Sequence, residues 1–210
     1  MQEEADVTVR SVCLLLAAVL CFPALSSAQN FGVLESAETI DQGNFKLLAT
    51  PIFVFGKNRG SGDNHIVFGA GYGFTPNLDG EVKVAFGENT TLFGGNVEYW
   101  VLKNDPIDFS VIGGLHFQNN DFPNDVLGVD ATLLASKHVA RKLEAYGALA
   151  LAFNRFIEDR PFDDGFTQAH LVPGIEYAIS EQLDFLAELG LGLTDSSRHY
   201  FGVGVAYYIR

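Results

Sequence analysis

Acidic side chains recur at alternate positions of stretches that are otherwise apolar. In LDFLAELGLGL, Leu183–Leu193, Asp184 and Glu188 share one phase of a two-residue repeat with a leucine and two glycines, and the other phase holds only leucine, phenylalanine and alanine. Successive side chains of a strand point to opposite faces of a sheet. The two carboxylates therefore lie on one face, either as cation-attracting groups of a channel or as buried groups that need hydrogen-bonding partners.

The same alternation places further charged and imidazole side chains on the less apolar face of other segments. The set predicted to line the interior of a closed sheet is Lys46, Glu81, Lys83, Glu98, Asp108, His116, Asp130, Glu144, His170, Glu176, Asp184 and Glu188. Two interpretations stay open. The carboxylates form a ring that makes a narrow pore favour cations, or they form a hydrogen-bonded network with the lysines, histidines and water. No cofactor or metal is predicted.

A second acidic cluster lies in the sequence FIEDRPFDDGF, residues 156–166. Its charged members are Glu158, Asp159, Arg160, Asp163 and Asp164. Clustered carboxylates can bind Ca²⁺ or reach lipopolysaccharide through divalent cations, but their spacing does not fit an EF-hand loop. We therefore predict a solvated extracellular loop without a metal site.

The N-terminus is typical of an export signal. The uncharged stretch Ser11–Leu25 is followed by Ser26 and Ala28 at the −3 and −1 positions of a small-residue cleavage site. Residues 1–28 are thus predicted to be a cleaved signal peptide, whose apolar core is too short to span a membrane. Acidic residues among the first ten positions are unusual in such a signal, and they indicate a start codon a few residues further along.

The composition favours a barrel and argues against some partners. A net charge of −13 and the lack of a basic cluster argue against nucleic acid. Both cysteines, Cys13 and Cys21, fall in the predicted signal peptide, so the exported chain would fold without a disulfide. The 22 glycines, 18 phenylalanines and 7 tyrosines are typical of barrels built from evenly spaced strands.

Ten alternating segments cover the rest of the chain. They are Asn44–Gly56, His65–Phe74, Leu78–Phe86, Leu92–Leu102, Ile107–Phe117, Val126–Ser136, Leu143–Asn154, Thr167–Ile179, Leu183–Leu193 and Tyr200–Arg210. Their lengths match the ~9–11 residues of a tilted transmembrane strand. Long polar links alternate with short ones, as loops and periplasmic turns do in outer-membrane barrels. Pro51 and Pro173 fall inside two segments, where we predict bulges or local disorder.

Alternation alone does not say which face meets water. The less apolar face is rich in glycine and alanine, which suits a crowded interior, whereas a soluble exterior would carry dense lysine and glutamate. Aromatic residues cluster near the ends of the apolar phases, as interfacial girdles do. We therefore predict an all-β, closed, antiparallel up-and-down transmembrane β-barrel of about ten strands, between eight and twelve. Residues 44–210 form it, and residues 29–43 are a periplasmic lead-in.

Three stretches resemble the small single-chain outer-membrane β-barrels of bacteria, the porin-like and OmpA-type proteins. AETIDQGNF resembles their lead-in to the first strand, YGFTPNLD a strand–turn–strand junction, and FGVGVAYYIR the C-terminal assembly strand. The outward residues of that strand would be Phe201, Val203, Val205, Tyr207 and Ile209. The resemblance implies an integral outer-membrane location, with contacts to membrane lipid, lipopolysaccharide and the insertion machinery. It favours a non-enzymatic structural protein or a narrow pore for ions or small solutes.

Two other functions remain open. An outer-membrane hydrolase, of the omptin or a lipid-modifying type, would use His199 with Asp163 and Asp164 at the extracellular rim. Ser196 and Ser197 precede His199 in the reverse of the order that lipid A deacylase barrels carry. A soluble periplasmic lipocalin-like carrier would instead turn the apolar faces inward.

Overall fold

Ten antiparallel strands close into a barrel in the computed structural model, which describes residues 31–55, 64–88, 90–103, 106–120, 125–157 and 165–210. The strands are β1 Phe45–Phe55, β2 His65–Thr75, β3 Leu78–Gly87, β4 Thr90–Leu102, β5 Asp108–Asn120, β6 Val126–Ala140, β7 Leu143–Phe156, β8 Phe166–Ala178, β9 Leu183–Gly192 and β10 His199–Ile209. None of the described residues belongs to a helix with the length and hydropathy needed to cross a membrane. The predicted signal peptide, residues 1–28, lies outside the described ranges.

Each strand pairs with its neighbours in sequence, and β1 closes the barrel against β10. Phe45 lies opposite Ile209, and Phe55 lies opposite His199. The predicted up-and-down barrel of ten strands is confirmed, and most strand ends lie within two residues of their predicted positions. The largest difference is β6, which continues past its predicted end because His138 still pairs with Glu144 across the turn to β7.

One face of the sheet carries large apolar side chains that point away from the barrel interior. Val82 and Leu115 are each more than 60% exposed, as is expected of groups that lipid would cover. On β9 the side chain of Phe185 faces outward, while Leu186 and Glu188 are buried inside. Closure of the sheet pairs the backbone groups of every strand on both sides, which a surface facing hydrocarbon requires.

The predicted bulges at the two prolines are wrong. Pro51 lies in β1, whose pairing with β2 is unbroken, and Pro173 lies in β8, whose pairing with β7 is unbroken. The pairing of β1 with β10 and that of β8 with β9 each skip two residues at the proline and then continue in the same register. The gap follows from the missing N–H of proline. The register shifts lie instead next to short turns, between Gly73 and Thr75, Trp100 and Leu102, and His138 and Ala140.

Residues 31–40, called here the plug segment, lie inside the barrel. Phe31, Val33, Leu34 and Ile40 are buried, and most of them join one apolar cluster with inward residues of the strands. This position differs from the expected periplasmic lead-in. Four large apolar side chains would be solvated in the periplasm, whereas about ten strands leave more interior room than their own side chains fill.

Candidate functional site: the plugged lumen

The plug segment enters the barrel at the end where the strands are joined by short turns, the short-turn end. There the Ile40 amide donates to Asp79 Oδ2 at 2.6 Å. Further inside, the Ala37 amide donates to Ser136 Oγ at 3.1 Å. Among the described residues, no strand pairs with residues 31–40. Hydrogen bonds to inward side chains therefore supply partners for backbone amides of the plug segment.

The Glu188 carboxylate holds the inner part of the plug segment. Its two oxygens accept hydrogen bonds from the amides of Val33 at 3.0 Å and Leu34 at 2.7 Å. The hydroxyls of Tyr146 and Tyr200 donate to the same carboxylate, each at 2.9 Å. These four donors supply the partners that a buried carboxylate requires. Glu188 therefore joins the plug segment to two strands of the wall.

The backbone of the plug segment is shaped to meet Glu188. Gly32 has φ +80° and Leu34 has φ +55°. A non-glycine residue in this left-handed region costs about 1–2 kcal/mol, and the turn it makes aims consecutive amides at one anion. A Cβ added to Gly32 would lie 2.6 Å from Glu188 Oε1. Glycine at this position is what lets the carboxylate approach.

A cluster of two lysines and two glutamates holds the middle of the plug segment. Lys83 Nζ lies 2.8 Å from Glu81 Oε2 and 3.8 Å from Glu35 Oε1, and it donates to the Val33 carbonyl at 3.2 Å. Lys46 Nζ lies 3.2 Å from Glu81 Oε1 and 3.5 Å from Glu35 Oε2. Glu35 comes from the plug segment, so the pairing of these buried charges depends on the segment being in place.

Inward glycines make room for the aromatic residues around Glu188. A Cβ on Gly174 would overlap the ring of Tyr146, and a Cβ on Gly190 would overlap the ring of Tyr200. Both tyrosines lie flat against neighbouring strands because these positions carry no side chain. The prediction that a glycine-rich face would line a crowded interior matches this packing.

Two cavities flank the plug segment. One of about 60 Å³ is bounded by Phe31, Lys83 and Tyr200, which is space for one or two waters at roughly 30 Å³ each. The other, of about 190 Å³, lies toward the short-turn end. Its carboxylates are Glu35, Glu38, Asp41, Asp79, Glu98, Glu176, Glu181 and Asp184, and its cationic groups are Lys46 and Arg210. This second cavity, the acidic vestibule, is therefore lined by eight carboxyl groups and two cationic groups.

The opposite half of the lumen is filled by polar groups that bind one another. His116 Nδ1 lies 2.7 Å from Asp130 Oδ2, and His116 Nε2 lies 2.8 Å from Asn154 Oδ1. Gln168 Nε2 donates to the Ser196 carbonyl at 3.1 Å. These contacts join strand to strand and strand to loop, and the plug segment takes no part in them.

The structure places the predicted lumen-lining residues at different depths. Buried members are Lys46, Glu81, Lys83, Glu98, His116, Glu144, His170 and Glu188. Partly exposed members are Asp108, Asp130, Glu176 and Asp184. The interior also contains groups that sequence reasoning missed, namely Glu35, Asp79, Tyr146 and Tyr200. The apolar character of residues 31–34 was the available signal, because a solvated lead-in would not carry it.

The predicted rim and outer-face residues divide between described and undescribed parts. Glu158, Asp159, Arg160, Asp163 and Asp164 lie outside the described residues. The outward positions of β10 (Phe201, Val203, Val205, Tyr207 and Ile209) point away from the lumen.

The serines and the histidine of the hydrolase alternative serve local packing. Ser197 Oγ lies 2.7 Å from Thr194 Oγ1, Ser196 donates to a β8 carbonyl, and His199 Nδ1 accepts from the Gly192 amide at 3.0 Å. Within the described residues, no hydrogen bond joins either serine to a histidine. The acidic partners proposed for His199 lie outside the described residues, so the hydrolase alternative stays an untested prediction.

Comparison with known proteins decides the family. The family model for the outer membrane protein beta-barrel domain matches residues 12–208. The chain belongs to this family. It is a protein of the bacterial outer membrane, so the soluble-carrier alternative is wrong and the short-turn end is the periplasmic end. Comparison with curated protein sequences yields no match.

One of three similar solved structures, an outer membrane channel with a TM-score above 0.5, supports the fold. An outer membrane channel from Pseudomonas putida F1 is 10% identical with a TM-score of 0.59, and the alignment covers 87% of this chain and 100% of that one. The translocator domain of the autotransporter NalP from Neisseria meningitidis is 10% identical with a TM-score of 0.47, covering 97% and 95%. KdgM porin is 11% identical with a TM-score of 0.45, covering 79% and 99%. At these identities the likeness concerns the fold alone.

Proposed function

We propose that this protein is a narrow, cation-favouring outer-membrane channel that its own plug segment holds closed. The observation that carries the proposal is the Glu188 carboxylate, which binds two consecutive amides of the plug segment inside the lumen. A chain crossing the interior at that depth leaves no continuous path for a solute. Movement of the plug segment is therefore the step that controls conduction.

The preference for cations follows from the charges that movement of the plug segment would uncover. Withdrawal of Glu35 would remove one carboxylate, but Glu81, Glu98 and Glu188 remain on the wall against Lys46 and Lys83. The acidic vestibule adds further carboxylates at the periplasmic entrance. Rings of acidic side chains favour cations in a narrow pore, which makes an opened barrel cation-selective.

Planar-bilayer recording tests the proposal with three proteins: the unaltered chain, a variant lacking residues 31–40, and Glu188→Gln. We expect the unaltered chain to be almost silent and the deletion variant to show steady conductance steps with a cation-selective reversal potential. Glu188→Gln should open intermittently because a neutral amide binds the plug backbone less strongly. Asp195→Asn, a change in an exposed carboxylate beyond the end of β9 and outside the acidic vestibule, is the matched control and should stay silent.

Silence of a correctly folded deletion variant would overturn the channel proposal and favour a purely structural barrel. Anion selectivity of the opened variant would contradict the role given to the lumenal carboxylates. Heat-modifiable mobility on a gel shows in each case that the barrel has assembled.

A further inference from the structure

Three side chains with metal-ligating atoms meet at the periplasmic rim. Glu38 belongs to the plug segment, His138 to β6 and Glu144 to β7. One donor atom from each lies within 4.8 Å of the other two, and His138 Nε2 lies 2.9 Å from Glu38 Oε1. An imidazole with two carboxylates is a donor set typical of zinc.

The backbone fixes all three residues. His138 and Glu144 are cross-strand partners on either side of the β6–β7 turn. His138 is two positions after Ser136, which is buried on the inner face of β6, so both side chains lie on that face of the strand. Glu38 follows Ala37, whose amide donates to Ser136 Oγ, two positions before His138 on β6. The three donors are therefore brought together by the fold and not by flexible side chains alone.

Glu144 gives independent evidence that a ligand belongs here. Its side chain is buried with a residue exposure of 5%, yet its Oε1 atom has no hydrogen-bond partner among the described residues. A buried carboxylate oxygen without a partner is costly. Glu176 lies directly opposite Glu144 on β8 and adds a second negative charge. A bound cation would satisfy the oxygen and offset the repulsion.

We propose that Glu38, His138 and Glu144 bind one Zn²⁺ ion, with water in the fourth position, and that the ion fastens the plug segment to the barrel wall. Zinc bonds of about 2.0–2.2 Å require the three donors to move together by only a small amount from their present separation. The binding site stands on its own geometry, whereas its role as a fastening rests on the function proposed above.

Zinc titration of the full chain, without an affinity tag, in detergent and after chelator treatment, tests the site. We expect one Zn²⁺ per chain, and at least about tenfold weaker binding in each of His138→Ala, Glu144→Gln and Glu38→Gln. Glu181→Gln changes a carboxylate of the neighbouring turn and should bind zinc normally. Substitution with Co²⁺ should give the visible absorption of a tetrahedral site, which a loosely held surface ion does not produce.

Each outcome decides a part of the proposal. Equal zinc affinity in His138→Ala and in the unaltered chain would overturn the site. Loss of zinc in the two strand variants with normal binding in Glu38→Gln would overturn the participation of the plug segment. If all three ligand variants lose zinc while the deletion variant stays silent in bilayers, the metal site stands and the channel proposal fails.

Discussion

The two halves of the lumen differ in where their buried polar side chains find hydrogen-bond partners. In the periplasmic half, Glu188, Lys83 and Asp79 each take a hydrogen-bond partner from the plug segment, in addition to the partners that Glu188 and Lys83 have on the wall. In the extracellular half, His116 and Gln168 take theirs from other strands and from a loop. The first half therefore depends on a segment outside the sheet, whereas these hydrogen bonds of the second half do not involve that segment.

This difference separates groups that hold the plug segment from groups that hold the barrel. Loss of a periplasmic-half contact exposes unmatched buried charge and loosens the plug segment at the same time. Loss of an extracellular-half contact weakens the barrel and leaves the plug segment where it is. Measurements of stability and of conductance on the same variants should therefore diverge between the two halves.

Lys83→Met should have the largest effect on stability. The change keeps an unbranched side chain of similar length but removes the cation that lies between Glu81 and Glu35. Removing one partner of a buried ion pair lowers the free energy of unfolding by roughly 3–5 kcal/mol. We expect a loss of about 3 kcal/mol here, because Lys46 remains beside both glutamates. Guanidinium unfolding from lipid vesicles gives the free energy of unfolding.

The double variant Lys83→Met with Glu81→Gln is the control for this prediction. Removing the second charge should restore more than half of the lost free energy of unfolding. If Lys83→Met lowers the free energy of unfolding by less than about 1 kcal/mol, water already screens the charges of the lysine–glutamate cluster. That result would contradict the buried position of the cluster.

Gly174→Ala should have the next largest effect, because its new methyl group would overlap the ring of Tyr146. Overpacking of this kind costs typically about 1–3 kcal/mol, and displacement of Tyr146 removes a donor from Glu188. Bilayer recordings should then show brief openings. Gly147→Ala is the matched control, because a Cβ there meets nothing within 4 Å on the outer face. Equal behaviour of the two variants would show that the glycine–tyrosine packing does not hold the plug segment.

His116→Ala should have the smallest effect, confined to the extracellular half. It leaves Asp130 and Asn154 without their shared partner, at a cost of about 1–2 kcal/mol in the free energy of unfolding. Because the hydrogen bonds of His116 go to Asp130 and Asn154 and not to the plug segment, we expect bilayer recordings of the variant to match those of the unaltered chain. Channel openings in His116→Ala would show that the two halves are coupled.

The barrel could be predicted from the sequence because its signal is local. On β9 the two-residue repeat separates lipid-facing leucines from Glu188 without knowledge of any other strand. Strand lengths and alternating link lengths then indicate closure and orientation. The same repeat places a side chain on a face but says nothing about its partner, so Glu188 was assigned to the interior while its contacts stayed unknown.

The contacts of the plug segment could not be predicted, because its apolar residues follow no strand repeat and its partners lie far away in the chain. Leu34 meets Glu188, and Ile40 meets Asp79. The end of β6 was missed for a related reason, because the pairing of His138 depends on Glu144 beyond the turn and not on the hydrophobicity of β6. The two-residue repeat predicts the strands that form the barrel wall, but it does not predict which segment occupies the interior.

Disulfide formation between Ala37→Cys and Ser136→Cys tests most directly whether the plug segment lies in the lumen. The cysteines Cys13 and Cys21 fall in the predicted signal peptide, so the engineered pair would be the only thiols of the exported chain. The Ala37 amide lies 3.1 Å from Ser136 Oγ, and a disulfide forms where Cα atoms lie within about 7 Å. We predict efficient oxidation of this pair in outer-membrane preparations and none when Ala135→Cys, facing the other side of β6, replaces Ser136→Cys. Absence of the bond in the first pair, or equal yields in both, would contradict a barrel closed by its own N-terminal segment.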